Sequence, residues 1–116
     1  MLLVRKRNTQ AFMQAGGKIE PGETAFEALG RELEEELDFT PRQADAVFLG
    51  IFSAEAANEP GRRVEASLYR IRSSGEFTAA AELEEAVWVT VAEAEKLPLA
   101  PLTRDYVLPL ARGLFN

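Results

Sequence analysis

The chain has 116 residues, 47% apolar and 28% charged, with a formal net charge of −6 and neither cysteine nor histidine. That size fits one domain over residues 1–116 with one hydrophobic core, large enough to fold without staples. The missing residue types exclude disulfides, thiolate nucleophiles, Ser-His-Asp triads and metals held by Cys or His, and the acidic surplus argues against a nucleic-acid polymer as partner. Acid–base chemistry must then rest on carboxylates, Lys, Tyr or a metal-bound water, and any metal site must be built from oxygen, which selects Mg²⁺, Mn²⁺ or Ca²⁺.

The first predicted element is a strand over Leu2–Arg7. Its charges follow its apolar residues, the reverse of a secretory signal, and no apolar run is long enough to cross a bilayer. A cytoplasmic location without a membrane partner is the expectation. A short extended piece follows around Phe12, then Gly16-Gly17 and a Pro21-Gly22 turn. Thr24 with Glu27 forms a capping box, so a helix should run from about Ala25 to Leu37, with Asp38 at the stop where glycine is usual. Asp45–Ala56 and Val64–Arg72 read as strands of an antiparallel hairpin around the Pro60-Gly61 loop. A turn over Ser73–Glu76, a strand over Ala86–Val91 and a short helix over Ala92–Leu97 come next. A last helix should begin near Pro101 and be kinked or interrupted at Pro109. These elements imply an α/β fold, a mixed sheet covered on both faces.

The stretch Gly17–Phe39 holds seven glutamates against one lysine and one arginine. Like charges four apart on a helix cost about 0.2–0.5 kcal/mol per pair, so the pattern asks for a reason. At 100° per residue, Phe26, Leu29, Leu33 and Leu37 form an apolar stripe for the core, and Glu27, Arg31 and Glu34 a solvated face able to pair within itself. Glu32, Glu35 and Glu36 fall between, with carboxylates expected to converge. An acidic run alone is usually a solvated face. The double glycine just before it favours a cation instead, because backbone there can approach a ligand closely and offer carbonyl oxygens.

These residues resemble the Nudix hydrolases, whose motif is G-x5-E-x7-R-E-U-x-E-E-x-G-U with U a bulky aliphatic residue. Gly17, Glu23, Arg31, Glu32, Leu33, Glu35 and Glu36 match in register, and Phe39 stands in for the last U. The final motif glycine is Asp38 here, and a proline common before the double glycine is Ala15. The resemblance implies a Nudix-type α/β/α sandwich. It also implies hydrolysis of a nucleoside diphosphate linked to another group, including nucleoside triphosphates as in MutT-like members, with Mg²⁺ or alternatively Mn²⁺. Glu32, Glu35 and Glu36 would be the main metal ligands, helped by the carbonyl of Gly16, with Arg31 and Glu23 pairing to orient the helix.

A further acidic ligand or base is expected on the loop before the late strand, where Glu82 is favoured over Glu84 and Glu85. Lys18, Arg5 and Arg7 are candidates to hold phosphates, and Phe12 to stack on a base if it is not core, as Trp88 is expected to be. Relatives carry another strand ahead of Leu2–Arg7, and a truncated start, a shortened sheet and a partner filling the edge are the alternatives for its absence here. Without it this strand would lack a neighbour, which leads to an expected homodimer. Two other readings stand beside the enzyme: a non-catalytic nucleotide-binding or sensing domain on the same scaffold, and an acidic Ca²⁺- or partner-binding module, weakened by the absence of an EF-hand loop.

Overall fold

Strand β1 (Leu2–Lys6) lies at the centre of an antiparallel sheet, between β2 (Phe12–Met13) and β5 (Leu83–Trp88). The computed structural model describes residues 1–73 and 77–115, so the turn expected over Ser73–Glu76 lies outside the described residues from Ser74 to Glu76. Side chains of a strand alternate between faces, and β1 uses this to divide the core. Leu3 packs with Phe12, Ala94 and Leu108, while Val4 packs with Leu33, Leu37 and Leu83. Full burial of side chains of this size stabilises by about 1.5–3 kcal/mol each. The first cluster holds α2 (Val91–Ala94) and α3 (Leu108–Phe115) against the sheet, and the second holds α1 (Ala25–Leu37) against its other face. The result is the expected α/β/α layering. Outside β2, the Phe12 N–H donates to Pro98 O and the Ala100 N–H to Phe12 O, a parallel bridge with Leu99 that makes the sheet mixed.

Because β1 is paired along both edges, it is not the bare strand expected, and a homodimer through it loses its basis. Another pair of strands stands apart. β3 (Ala46–Glu55) and β4 (Arg63–Ile71) form a two-stranded antiparallel ribbon, with a register shift between Phe48 and Gly50.

Helix α1 begins as its capping box predicts: Thr24 Oγ1 accepts from the Glu27 N–H at 3.1 Å, and Glu27 Oε1 from the Thr24 N–H at 2.9 Å. It ends at Asp38 in the left-handed conformation (φ 52°), whose N–H reaches Glu34 O and Leu33 O. A short carboxylate side chain tolerates that conformation better than most, so the missing glycine does not unwind the stop.

Strand β5 starts and finishes earlier than expected. Thr90 and Glu93 form a second capping box, and that signal turns the apolar run of Val89 and Val91 from strand into helix entry. Trp88 is 46% exposed, its ring 6.0 Å from that of Phe77, and is not the core residue expected. At Pro109 the chain stays helical. The preceding stretch Thr103–Val107 widens into a π-helix, with the Leu108 N–H donating to Thr103 O. This change of spacing just ahead of Pro109 accommodates a residue that has no N–H to continue the ordinary ladder.

Candidate active site

The turn before α1 brings Gly16 and Gly17 against the helix. Gly16 has φ +141°, a conformation side chains rarely adopt. A Cβ built on Gly17 would lie 2.5 Å from Glu32 Cδ and Oε1. Glycine at 17 is therefore what lets the Glu32 carboxylate sit against the backbone.

Glu36 is the centre of the arrangement. It is only 2% exposed, and the Gly16 N–H donates to its Oε1 at 3.0 Å. Burial pushes its carboxyl up to about 7, the Gly16 hydrogen bond opposes this, and the charges of Glu32 and Glu82 add to the rise. A carboxylate so placed is costly to ionise unless a cation joins it.

Arg31 organises the other acids. Its Nε and Nη2 donate to the two oxygens of Glu23 at 2.9 and 3.0 Å, its Nη1 to Glu32 Oε1 at 2.8 Å, and its Nη2 also to Lys18 O at 3.0 Å. The bidentate bond to Arg31 holds the Glu23 carboxyl down to about 2. The Arg31–Glu23 pair implied by the family resemblance is formed, whereas the solvated-face pairing of Arg31 with Glu27 and Glu34 is not, since Glu27 is used by the cap.

Glu35 departs from its expected companions. It is 57% exposed and 3.9 Å from Arg31, while Glu36 points inward. Among the described residues no group of three acidic side chains is gathered to hold a metal. Arg31 draws Glu32 one way, Gly16 draws Glu36 another, and Glu35 faces solvent. The donor chemistry still fits a hard divalent cation. The charges of Glu32 and Glu82 both act on Glu36, every donor is oxygen, and the most buried has one neutral hydrogen-bond partner.

The loop candidates sort by strand alternation. Lys6 shares the face of Leu2 and Val4, toward α1; its Nζ is 3.5 Å from Glu82 Oε1, and its charge acts on Glu36. Arg5 lies on the opposite face, its guanidinium 5.9 Å from the centre of the Phe12 ring, bonded to Glu85 at 2.8 Å and to Thr9 O at 2.7 Å. Arg7 is exposed, 3.9 Å from Glu84. Phe12 is buried in the first cluster, so its ring is packing and not an open platform for a base. Lys18 is exposed beside the double glycine. Lys6 was missed in favour of its neighbours, although its shared parity with Val4 was the available signal.

The NUDIX domain profile matches residues 1–110 of the chain. Among solved structures, the chain is similar to the E. coli ORF135 protein, at 27% identity over 97% of this chain and 77% of that one, with a TM-score of 0.68. It is similar to the MutT NUDIX hydrolase from Burkholderia pseudomallei at 22% identity, covering 99% and 87% of the two chains with a TM-score of 0.73. The NUDIX domain of Shewanella oneidensis NrtR, solved as a complex with ADP ribose, aligns at 19% identity over 99% and 77% with a TM-score of 0.76. No curated protein matches the sequence.

Proposed function

This chain belongs to the Nudix family, as a Nudix-type pyrophosphate hydrolase, and we propose that it cleaves a diphosphate bond in a nucleoside diphosphate linked to another group, with Mg²⁺ as its ion. The observation that carries this reading is the buried Glu36 carboxylate, set among Glu32 and Glu82 with one neutral donor at Gly16. Nudix hydrolases use divalent metal ions, and here Glu32, Glu35, Glu36 and Glu82, with the carbonyl of Gly16, would hold one. Such an ion supplies charge neutralisation on the diphosphate oxygens and a more acidic water.

The chain's own residues do the rest. Arg31, fixed by Glu23 and Lys18 O, sets the position of the Glu32 carboxylate. Gly16 holds one oxygen of Glu36. Without a cation burial raises the Glu36 carboxyl to about 7, and an ion bound there would hold it ionised. Lys18 and Arg7, both exposed at the ends of the segments that flank the site, would hold outer phosphates. Arg5 enters only if substrate displaces Glu85.

A second reading has one observation behind it. Glu32 is bonded to Arg31 and not gathered with other acids, as would suit a non-catalytic nucleotide-binding domain, and the NrtR domain with its ADP ribose is an example of a nucleotide bound on this scaffold. Incubation with a panel of nucleoside triphosphates, nucleotide sugars and dinucleotides plus Mg²⁺, with phosphate and pyrophosphate release measured, separates the two. Hydrolysis abolished by chelation supports the enzyme, and tight binding with no release supports the sensor.

A further inference from the structure

Lys6 has no part in the chemistry proposed above, yet its charge reaches the acidic centre. It shares the strand face of Val4 and lies opposite Leu83, and both of those residues pack against Leu33 and Leu37 of α1. The pairing of β1 with β5 shifts register at this point: Arg5 opposes Glu85, and Lys6 opposes Leu83. An extra residue on one strand re-aims the side chains around it, as bulges do beside active sites. Just before Leu83 the chain turns through Ala81 in the left-handed conformation (φ 54°), which alanine disfavours. Bulge and turn bring Glu82 beside Lys6, with Nζ 3.5 Å from Oε1.

The neighbouring arginines are committed. Arg31 donates to Glu23, Glu32 and Lys18 O, and Arg5 to Glu85 and Thr9 O on the opposite face. The Lys6 contact is of another kind. At 3.5 Å it is longer than the roughly 2.7–2.9 Å of a charge-assisted hydrogen bond, and both side chains reach solvent. A lysine ammonium is also a point charge on a flexible stem, free to move where a bidentate arginine is not. Of the charges that act on Glu36, those of Glu32 and Glu82 disfavour its ionised form and that of Lys6 favours it.

We propose that Lys6 is a tethered counterion, which holds Glu82 while the site lacks its divalent ion and gives Glu82 up when the ion arrives. This role rests on the metal-dependent reading above. Glu82 must leave Lys6 to join the ion, and two cations then share one acidic centre, so Lys6 opposes ion binding. Arg31 fixes its acids in place and favours ion binding. The two basic residues act on the same site with opposite sign.

The test is titration calorimetry of Mg²⁺ into the full chain and into Lys6→Gln and Lys6→Arg at pH 8, with thermal melts of each with and without the ion. Lys6→Gln should bind Mg²⁺ more tightly by about fivefold or more, the low end of typical coupling between two sites. Its melting temperature should fall without the ion, and the ion should raise it by more than it raises wild type. Lys6→Arg keeps the charge and should stay near wild type in both measurements. An affinity unchanged or weakened in Lys6→Gln overturns the proposal. So does a melting temperature that falls equally with and without the ion, the mark of a merely structural lysine, or a gain in affinity that Lys6→Arg shares in full. Absence of Mg²⁺ binding by the unaltered chain would instead sink the metal-dependent reading, and this role with it.

Discussion

Helix α1 places five glutamates and one arginine in thirteen residues, while β3 places one glutamate in ten. Each region leaves a local balance open, in opposite chemistry. On α1 one carboxylate is buried out of water and feels the charge of Glu32 and Glu82, and the deficit is positive charge. On β3 the apolar side chains of Val47, Phe48 and Ile51 face water, and the deficit is contact. A small domain can carry either only where something else completes it. The chemistry then belongs to the helix and not to the ribbon, and the two should separate under mutation.

The largest expected effect is at Glu36. Glu36→Gln keeps shape and the acceptor for the Gly16 N–H, but removes a hard ligand and a buried charge. Turnover in the nucleotide assay should fall by roughly 10²-fold or more, while metal-free melting temperature at pH 7.5 should hold or rise. Ile51→Lys, on the ribbon, should leave kcat within about twofold. If both variants lose turnover equally, the division between helix and ribbon is wrong.

Arg31→Ala removes the group that fixes Glu23 and Glu32 without touching the most buried acid. Partners that orient metal ligands typically contribute about 10–100-fold in affinity or activity, and a loss of that size in Mg²⁺ affinity, followed by titration calorimetry, is expected. An affinity unchanged from wild type would show that Glu32 needs no fixing.

The acid helix should also leave its mark on stability against pH, measured without metal by chemical denaturation. Folding raises Glu36 from the ordinary 4.5 to about 7, so the folded form binds the proton more tightly. Its contribution is most favourable below pH 4.5 and declines as pH rises through 7, by on the order of 3 kcal/mol at most. Glu23 runs the other way: drawn down to about 2 by Arg31, it contributes above pH 4.5 and is lost as pH falls toward 2. Glu36→Gln should abolish the upper decline and leave the lower one. Retention of the upper decline in that variant would place it on another group.

Glu34 supplies the smallest effect. Its side chain is exposed on α1, and Glu34→Gln should change turnover by less than twofold and stability by less than about 0.5 kcal/mol. A loss comparable to that of Glu36→Gln would mean that acidity of the helix as a whole, and not one face, is what matters.

What could be read beforehand followed local physics. The helix limits were legible because Thr24, Glu27 and Asp38 are cap signals whose partners lie within a few residues. The hairpin was legible from alternation and its Pro-Gly loop. Less accessible were features set by distant partners. Periodicity put Glu35 and Glu36 together, yet one is exposed and the other buried, because only Glu36 meets the double-glycine turn and the loop at Ala80. Arg31 reaches Glu23 through a chain reversal that no helical wheel contains, and only the motif resemblance pointed to that pair. Phe12 was packing and Trp88 was not, which depends on where α3 and Phe77 sit. Lys6 lay within reach of strand parity and was passed over.

Glu36 is also a junction. Its side chain accepts from Gly16, twenty residues earlier, and its main-chain carbonyl accepts from the Ala80 N–H, on the approach to β5. Three segments far apart in the chain are thus tied at one residue. Loops of this length close slowly compared with the turns of a helix, so α1 can form long before its acidic centre exists. A nascent or partly unfolded chain would then present the glutamates as a helix in water, without the enclosure that raises Glu36. An ion that binds the finished centre acts as a lock on a completed fold, and its removal should loosen these three segments together.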